Sequence, residues 1–248
     1  MALPMRSNGR WLGLGLFAPA VEHPRILTFD IVDGLAAGVD AAPDLPSALR
    51  RAVMARIREH TGSDRLHAFF TGHHPDGEPL RGGTHRHLAF AFDAARRRLL
   101  VIAPHALEGR APLREEKDAL ATLEAALSGL AELRAGPAGL LRLQAAGVVQ
   151  DEDPLLGTAR SWRSVTPYAP TRHAKALPPA VAIAEDVRLE CRRRGWPEPI
   201  CEVVDVRVGP RGGFAARLNL RFIVARSGPI MLGRTAHLGG GLFEAAHD

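Results

Sequence analysis

The order in which strand-like and helix-like apolar patterns follow one another most limits how this 248-residue chain can fold. A short apolar run comes first, followed by an amphipathic helix with Leu49, Val53 and Ile57 on one face. Paired apolar runs, a second helix and a closing run predict a β-α-β-β-α-β unit, the ferredoxin-like arrangement, with an extra strand near the intervening loop. The predicted strands are residues 26–32, 67–71, 87–92, 99–103 and 140–146, and the predicted helices are residues 47–60 and 113–133.

The second half of the chain repeats the first part of that order. Residues 161–168 are predicted as a strand, 179–194 as a helix and 202–224 as a hairpin, before a GPIML run leads into glycines. We therefore predict an α+β protein with tandem ferredoxin-like (RRM-like) β-α-β-β-α-β domains, the second abbreviated and ending in a glycine-rich loop. The predicted parts are a glycine-rich N-terminal segment (1–25), a first domain (26–147), a linker (148–160) and a second, basic domain (161–248).

The excess of basic over acidic residues lies entirely in the C-terminal part of the chain. Residues 1–159 hold 18 Lys and Arg against 19 Asp and Glu, whereas residues 160–248 hold 14 against 8. Nearly all of these cations are arginines, whose planar guanidinium binds phosphate in a bidentate manner; a GC-rich genome is the alternative explanation. Aromatic residues make up only 5% of the chain, which disfavours base stacking. The pattern predicts an RNA-like polyanion held through its backbone.

Glycines and basic side chains near the C-terminus are the candidate phosphate contacts. Gly233, Gly239, Gly240 and Gly241 can present successive backbone amides to phosphate oxygens, although glycine runs are most often simple turns. No Gly-Lys-Ser/Thr follows and no helix has room to start, so neither a Walker loop nor a dinucleotide fingerprint is present. The basic candidates are Arg163, Arg172, His173, Lys175, Arg192, Arg193, Arg217, Arg221 and Arg234.

Histidines are the obvious acid–base side chains of the chain. His73, His74, His85 and His87 lie close together in sequence, and His60 ends the first predicted helix. Three interpretations stay open: a metal site, although no carboxylate or cysteine set completes it; phosphoester chemistry at a ribose 2′-hydroxyl or a leaving 5′-oxygen; and an exposed loop with no role. The paired H-x-Ser/Thr signature of 2H phosphoesterases is absent.

Cysteine usage and hydropathy bear on location. Cys191 and Cys201 lack the companions of a disulfide scaffold or a cysteine zinc site, which favours a reducing cytoplasm. No apolar run reaches the roughly 18 residues of a membrane span. We expect a cytoplasmic protein with no membrane partner.

Four motifs, in order and spacing, carry a resemblance to a known family: TGHHPDGEPL...HRHLAFAF, WRSVTPY...RHAK, VRLECRRRGWPEP and GPIMLGRTAHLGGGLF. Over residues 45–248 they resemble the CRISPR-associated RAMP proteins of type I-G (formerly I-U) systems, in which a Cas-five-like domain is fused to a Cas-six-like domain. The family's Gly-His motif falls on Gly72-His73, its His-Leu-Ala-Phe motif on residues 87–90 and its glycine loop on residues 233–241. His74 replaces an expected aspartate, the loop reads Gly-Gly-Gly rather than Gly-x-Gly, and the chain is short for a complete Cas-five-like half.

The resemblance implies a metal-independent endoribonuclease of antiviral defence that cuts CRISPR repeat RNA (pre-crRNA) into guide RNAs. Its products would carry 2′,3′-cyclic phosphate and 5′-OH ends, it would need no cofactor, and it would keep the crRNA beside other type I effector subunits. The resemblance does not specify which histidine is catalytic; for this reaction our candidates are His73 first and then His87 or His60. A non-catalytic guide-RNA-binding subunit on the same fold, or a metal-dependent hydrolase using the histidine cluster, are the alternatives.

Nearly the same glycine-rich phrase occurs at residues 9–20 and 233–246. Because a glycine-rich loop closes a ferredoxin-like unit in the family resembled, the first copy is interpreted as the tail of an upstream domain that is missing, truncated or encoded separately. An internal duplication, with both loops holding one RNA backbone, is the alternative.

Overall fold

The computed structural model describes residues 25–34, 44–74, 78, 86–149, 152–172, 177–209 and 213–246. The N-terminal glycine-rich phrase, His85, His173 and Lys175 lie outside these residues, so the predictions that fall on them stay predictions. None of the helices in the described ranges is long and apolar enough to cross a membrane.

The first half of the chain forms one antiparallel sheet with helices on one face. Its elements are β1 (Ile26–Asp33), α1 (Leu45–Thr61), α2 (Ala68–Thr71), β2 (Ala89–Asp93), β3 (Arg98–Ile102), α3 (Pro104–Leu107), α4 (Arg114–Leu127), β4 (Glu132–Arg134) and β5 (Leu140–Val148). The strand order is β2-β3-β1-β5-β4, and every neighbouring pair is antiparallel. Apart from the short edge strand β4, this is the predicted ferredoxin-like arrangement.

The predicted strand at residues 67–71 is wrong, because this stretch forms the short helix α2. Adjacent Phe69 and Phe70 are both buried and meet edge to face with ring centroids 5.3 Å apart. A strand would send consecutive side chains to opposite faces, whereas a helical turn buries both. The Nδ1 atom of His67 accepts the Phe69 N–H at 3.2 Å and so caps the turn.

The second predicted helix is shorter than expected, because α4 ends at Leu127 and the prediction ran to residue 133. Gly129 adopts φ 73° and turns the chain back on itself. Leu133 belongs to β4 and is buried in the same core as Leu120, Leu123 and Leu127 of α4. The leucine spacing therefore continued past the helix because helix and strand share one core.

The second half forms a second antiparallel sheet of five strands. Its elements are β6 (Thr158–Ser164), α5 (Pro179–Arg193), β7 (Ile200–Val208), β8 (Phe214–Ser227), β9 (Ile230–Met231) and β10 (Leu242–Ala246). The order β7-β8-β6-β10-β9 repeats that of the first unit, with no second helix among the residues described after β8. Two ferredoxin-like units in tandem are thus the fold, as predicted.

The glycine-rich loop does not end the second unit. Residues 232–241 make a compact loop around a single 3₁₀ turn, Ala236–Leu238, and β10 follows it. β10 pairs with both β6 and β9, which makes it an inner strand of the sheet. This strand was not predicted, because its five residues directly follow three glycines.

The two sheets pack against each other through the faces opposite to the long helices α1, α4 and α5. Small and aliphatic side chains of β2 and β3, such as Ala89, Ala91 and Leu100, are buried in one cluster with Met231 of β9 and Leu242 of β10. Alanines on β2 let the second sheet approach closely. This contact leaves the β6–β8 part of the second sheet's helix-free face open to solvent.

A chain of six alternating charges, called the ion chain below, also links the two sheets. Asp93 at the end of β2 is fully buried, and Glu244 of β10 receives arginines from both units. In order the members are Asp153, Arg98, Asp93, Arg96, Glu244 and Arg163, joined at N–O distances of 2.6–3.1 Å.

Candidate active site

Two histidine rings from different units lie against each other where the glycine-rich loop meets the first unit. The ring centroids of His87, just before β2, and His237, in the 3₁₀ turn, are 3.8 Å apart at an interplanar angle of 31°. Both rings direct Nδ1 at the carbonyl oxygen of Leu88, at 3.0 Å for His87 and 3.4 Å for His237. Because a carbonyl oxygen can only accept a hydrogen bond, Nδ1 must carry the proton in each neutral ring. Nε2 is then the basic nitrogen of both rings.

Gly72, which ends α2, makes room for the ring of His87. Its φ is 77°, and a Cβ at this position would lie 2.7 Å from Cδ2 of His87. Only glycine therefore permits both the backbone turn and the ring position. His73 comes next with an exposed side chain, and its N–H donates to the hydroxyl of Thr71 at 3.1 Å. The Gly72-His73 motif and His87 thus belong to one neighbourhood.

The glycine-rich loop is held at both ends and docks on the first unit. The Leu232 N–H donates to the Gly241 carbonyl at 2.9 Å, and the Gly241 N–H donates to the Pro167 carbonyl at 2.9 Å. Gly239 has φ 91°, and a Cβ there would lie 2.6 Å from Cγ of Pro46 in the first turn of α1. The absence of a side chain at Gly239 lets the loop approach α1 and brings His237 to His87.

His60, the third catalytic candidate, lies away from this pair. It is exposed in the last turn of α1, whereas Pro46 at the start of the same helix contacts the glycine-rich loop. Fourteen residues of helix separate the two ends by about 21 Å. The structure brings His87 together with His237 and places Gly72, the residue before His73, against the His87 ring. His60 lies away from this pair.

His237 was not among the predicted site residues. It stands inside the quoted motif GPIMLGRTAHLGGGLF, between Arg234 and Gly239, which were both named. A histidine inside a loop already assigned to phosphate contact was the available signal. Its partner could not be read from the sequence, because the pairing depends on how two separate sheets pack.

Several predicted RNA-binding arginines share the open face of the second sheet. Along β8, Leu218 and Leu220 are buried under α5, whereas Arg217, Asn219 and Arg221 are exposed. Arg163 of β6 pairs with Asn219 in the sheet and so projects from the same face. This surface presents three guanidinium groups on neighbouring strands.

The other predicted contacts are spread over the second unit. Arg192 and Arg193 are exposed in the last turn of α5, and Arg192 pairs with Glu198 at 3.2 Å. Arg172 is exposed, as is Arg234 of the glycine-rich loop, whose guanidinium lies against Gly213 of the β7–β8 hairpin. These residues lie on elements other than β6 and β8, and their role in RNA binding stays a prediction.

Neither cysteine has the properties of a nucleophile. Burial raises the pKa of the Cys191 thiol to about 12 and that of the Cys201 thiol to about 11. A thiol with so high a pKa holds almost no thiolate near neutral pH. Among the described residues, no three His, Cys, Asp or Glu side chains group together as metal ligands.

The fold and site together define a protein with tandem ferredoxin-like units that join a histidine pair across their interface. No protein-family model matches the chain, and neither does any curated protein. Among solved structures the chain is similar to Csf5, a CRISPR-Cas type IV Cas6 crRNA endonuclease, at 14% identity, with 90% of this chain and 98% of that chain covered and a TM-score of 0.41. A TM-score of this size does not establish a shared fold, so the ferredoxin-like assignment rests on the strand orders.

Proposed function

We propose that the chain is an endoribonuclease that cleaves RNA without a metal ion at the His87–His237 pair. The observation that carries the proposal is the stacking of two imidazoles, both oriented through Nδ1 by the Leu88 carbonyl. A base and an acid placed together can serve the two proton transfers of RNA cleavage. The tautomer makes Nε2 the atom that takes or gives the proton in both rings.

The reaction needs only these two proton transfers. One histidine takes the proton of a ribose 2′-hydroxyl through Nε2, and the 2′-oxygen forms a bond to the adjacent phosphorus. The P–O5′ bond breaks, and the other histidine, protonated, gives its Nε2 proton to the leaving 5′-oxygen. The products are a 2′,3′-cyclic phosphate and a 5′-hydroxyl. A cation would stabilise the charge on the phosphate, and Arg234, which lies in the same loop as His237, is our candidate.

The basic surface of the second unit supports RNA as the substrate. The excess of basic residues lies in the second unit, and Arg163, Arg217 and Arg221 form an exposed cationic face there. With few aromatic side chains, recognition would proceed through the sugar-phosphate backbone. The 2′-hydroxyl required by the chemistry excludes DNA as a substrate.

CRISPR repeat RNA is the substrate class we propose, on the strength of the sequence motifs. The Gly72-His73, His87 and glycine-loop motifs that carry the resemblance to type I-G RAMP proteins meet at the histidine pair. Processing of pre-crRNA in the cytoplasm, followed by retention of the guide RNA with other effector subunits, is the role that this resemblance supports. His60, remote from the pair, has no part in the proposed chemistry.

A cleavage assay with labelled hairpin repeat RNA in excess EDTA tests the proposal. The wild type is compared with His87→Ala, His237→Ala and His73→Ala, and His60→Ala serves as a matched exposed-histidine control. We expect cleavage that a 2′-deoxy at the scissile nucleotide blocks, and loss of cleavage without loss of binding in the first two variants. Tight binding with no cleavage by the wild type would instead indicate a guide-RNA-holding subunit, and activity abolished by EDTA would indicate a metal-dependent enzyme.

A further inference from the structure

We propose that Glu190 of α5 is a positioning residue that holds the glycine-rich loop so that His237 reaches His87; this inference rests on the proposed function. The Gly233 N–H donates to Oε2 of Glu190 at 2.8 Å, and both residues are buried. Gly233 begins the loop, four residues before His237. The contact is a charge-assisted hydrogen bond from backbone to carboxylate, which is stronger than a neutral one.

Glu190 is itself fixed by a second partner. Arg194, one turn further along, donates to the other carboxylate oxygen, so each oxygen has its own donor. The carboxylate therefore has a defined orientation relative to the end of α5. The position of the Gly233 N–H is then determined by this helix.

A second carboxylate of α5 holds the segment on which the loop rests. Asp186, one turn before Glu190, accepts the Tyr168 hydroxyl at 2.7 Å and both the N–H and the hydroxyl of Thr171, at 2.6 and 2.8 Å. Between Tyr168 and Thr171, the carbonyl of Ala169 accepts the Arg234 N–H at 3.0 Å. Two acids on one face of α5 thus fix the start of the loop and its support.

An acid at this place is unfavourable for packing alone. Burial raises the pKa of Glu190 above its ordinary value, even though Arg194 and the Gly233 N–H act to lower it. A well-packed apolar residue of similar size would avoid this desolvation cost. The carboxylate is the group that can orient a backbone N–H and a guanidinium together, and such orientation is what a loop carrying a reacting side chain requires.

The test compares Glu190→Ala and Glu190→Gln with Glu185→Gln, an exposed acid on the same helix. Two measurements on the free protein do not depend on activity: hydrogen exchange of the Gly233 amide, and the nuclear Overhauser effect between the His87 and His237 rings. We expect Glu190→Ala to accelerate the exchange at least tenfold and to abolish the ring contact. We expect Glu190→Gln, which keeps one acceptor oxygen, to retain part of both, and Glu185→Gln to match the wild type.

Single-turnover cleavage and RNA affinity complete the test. Displacement of one reacting group by about 1 Å costs about a hundredfold in rate, so Glu190→Ala should slow cleavage between tenfold and a hundredfold while changing affinity less than threefold. If Glu190→Ala has the same amide exchange, ring contact and cleavage rate as the wild type, Glu190 has no positioning role, and the proposed nuclease activity is unaffected. If the wild type cleaves no RNA, the proposed nuclease activity is wrong. Loss of the ring contact in Glu190→Ala would in that case still support Glu190 as the residue that positions the loop.

Discussion

His87 and His237 are brought together on one backbone oxygen, the carbonyl of Leu88, although they belong to different sheets. The oxygen orients both rings, and the glycine-rich loop supplies the second ring only when it is docked on the first unit. The pair therefore depends on the interface between the sheets as much as on either loop.

The two histidines should behave as a unit when they are removed. His87→Ala and His237→Ala should each lower single-turnover cleavage by about 10²–10⁴-fold, because each removes one proton transfer. The double variant should cleave only slightly more slowly than the slower of the two single variants, since either loss already disables the concerted step. A double variant whose loss equals the product of the two single losses would show that the rings act independently.

Removal of arginines from the open face of the second sheet should weaken binding through electrostatics. A plot of log affinity against log salt has a negative slope. Arg217→Ala and Arg221→Ala should each make this slope less steep by about 0.7, the value for one phosphate contact on a single strand. Fluorescence anisotropy at several salt concentrations measures this slope. Arg58→Ala, an exposed arginine on α1 of the first unit, is the control and should leave the slope unchanged.

Gly239→Ala should separate the histidines, and Gly129→Ala should not. Both glycines have positive φ, so both variants bear a backbone cost of about 1–2 kcal/mol. Only at Gly239 would the new Cβ meet Pro46; at Gly129 it has nothing within 4 Å. We expect at least about tenfold slower cleavage in Gly239→Ala alone. If Gly239→Ala and Gly129→Ala lower the melting temperature equally and cleave at equal rates, docking of the loop on α1 is not what holds His237 beside His87.

The ion chain should contribute strongly to stability through Asp93. Asp93→Ala would leave the guanidinium groups of Arg96 and Arg98 without their shared buried partner. Breaking a buried pair in this way costs about 3–5 kcal/mol. Urea unfolding measures the loss, and Asp118→Ala on the exposed side of α4 is the control, with an expected change within about 0.5 kcal/mol.

Asp153 should make the protein less stable in acid. Burial acts to raise its pKa, but the hydrogen bonds from Arg98 and the Leu155 N–H outweigh this, so the folded-state pKa lies below the usual value. A carboxyl whose pKa is lower in the folded state stabilises the fold at pH values above its unfolded-state pKa of about 3.9. This contribution is lost as the pH falls through the folded-state pKa. The difference in unfolding free energy between wild type and Asp153→Asn should therefore shrink from pH 6 to pH 3. A difference that stays constant over this range would contradict the assignment.

The alternating patterns were sufficient to predict two ferredoxin-like units in tandem, because each unit buries one face under its own long helices, but β4 and β10 were not predicted. The strand predicted around Phe69 and Phe70 is wrong, since two adjacent aromatics are compatible with a helical turn as well as with a strand. The leucine stripe of α4 was overextended because Leu133 enters the same core from β4. In both stretches the apolar residues belong to the core, and the pattern alone did not decide which backbone conformation carries them.

The candidate site was only half visible in the sequence. His73 and His87 fall near Gly72 in the chain, so local motifs could select them, and the same motifs could not exclude His60. His237 meets His87 across the interface that alanines of β2 and the ion chain hold together. Contacts between separate units leave no periodic signal in either segment.

The position of β10 has a consequence for the order of events during synthesis. β10 pairs Phe243 with Ser164 of β6, so the second sheet closes through a contact between segments far apart in sequence, and such contacts form late. The first unit emerges from the ribosome earlier and can fold while the surface of β2 that β9 and β10 will cover is still bare. A nascent chain that stops before β10 therefore carries His87 without a seated partner, and the proposed RNA cleavage would begin only after β10 has entered its sheet.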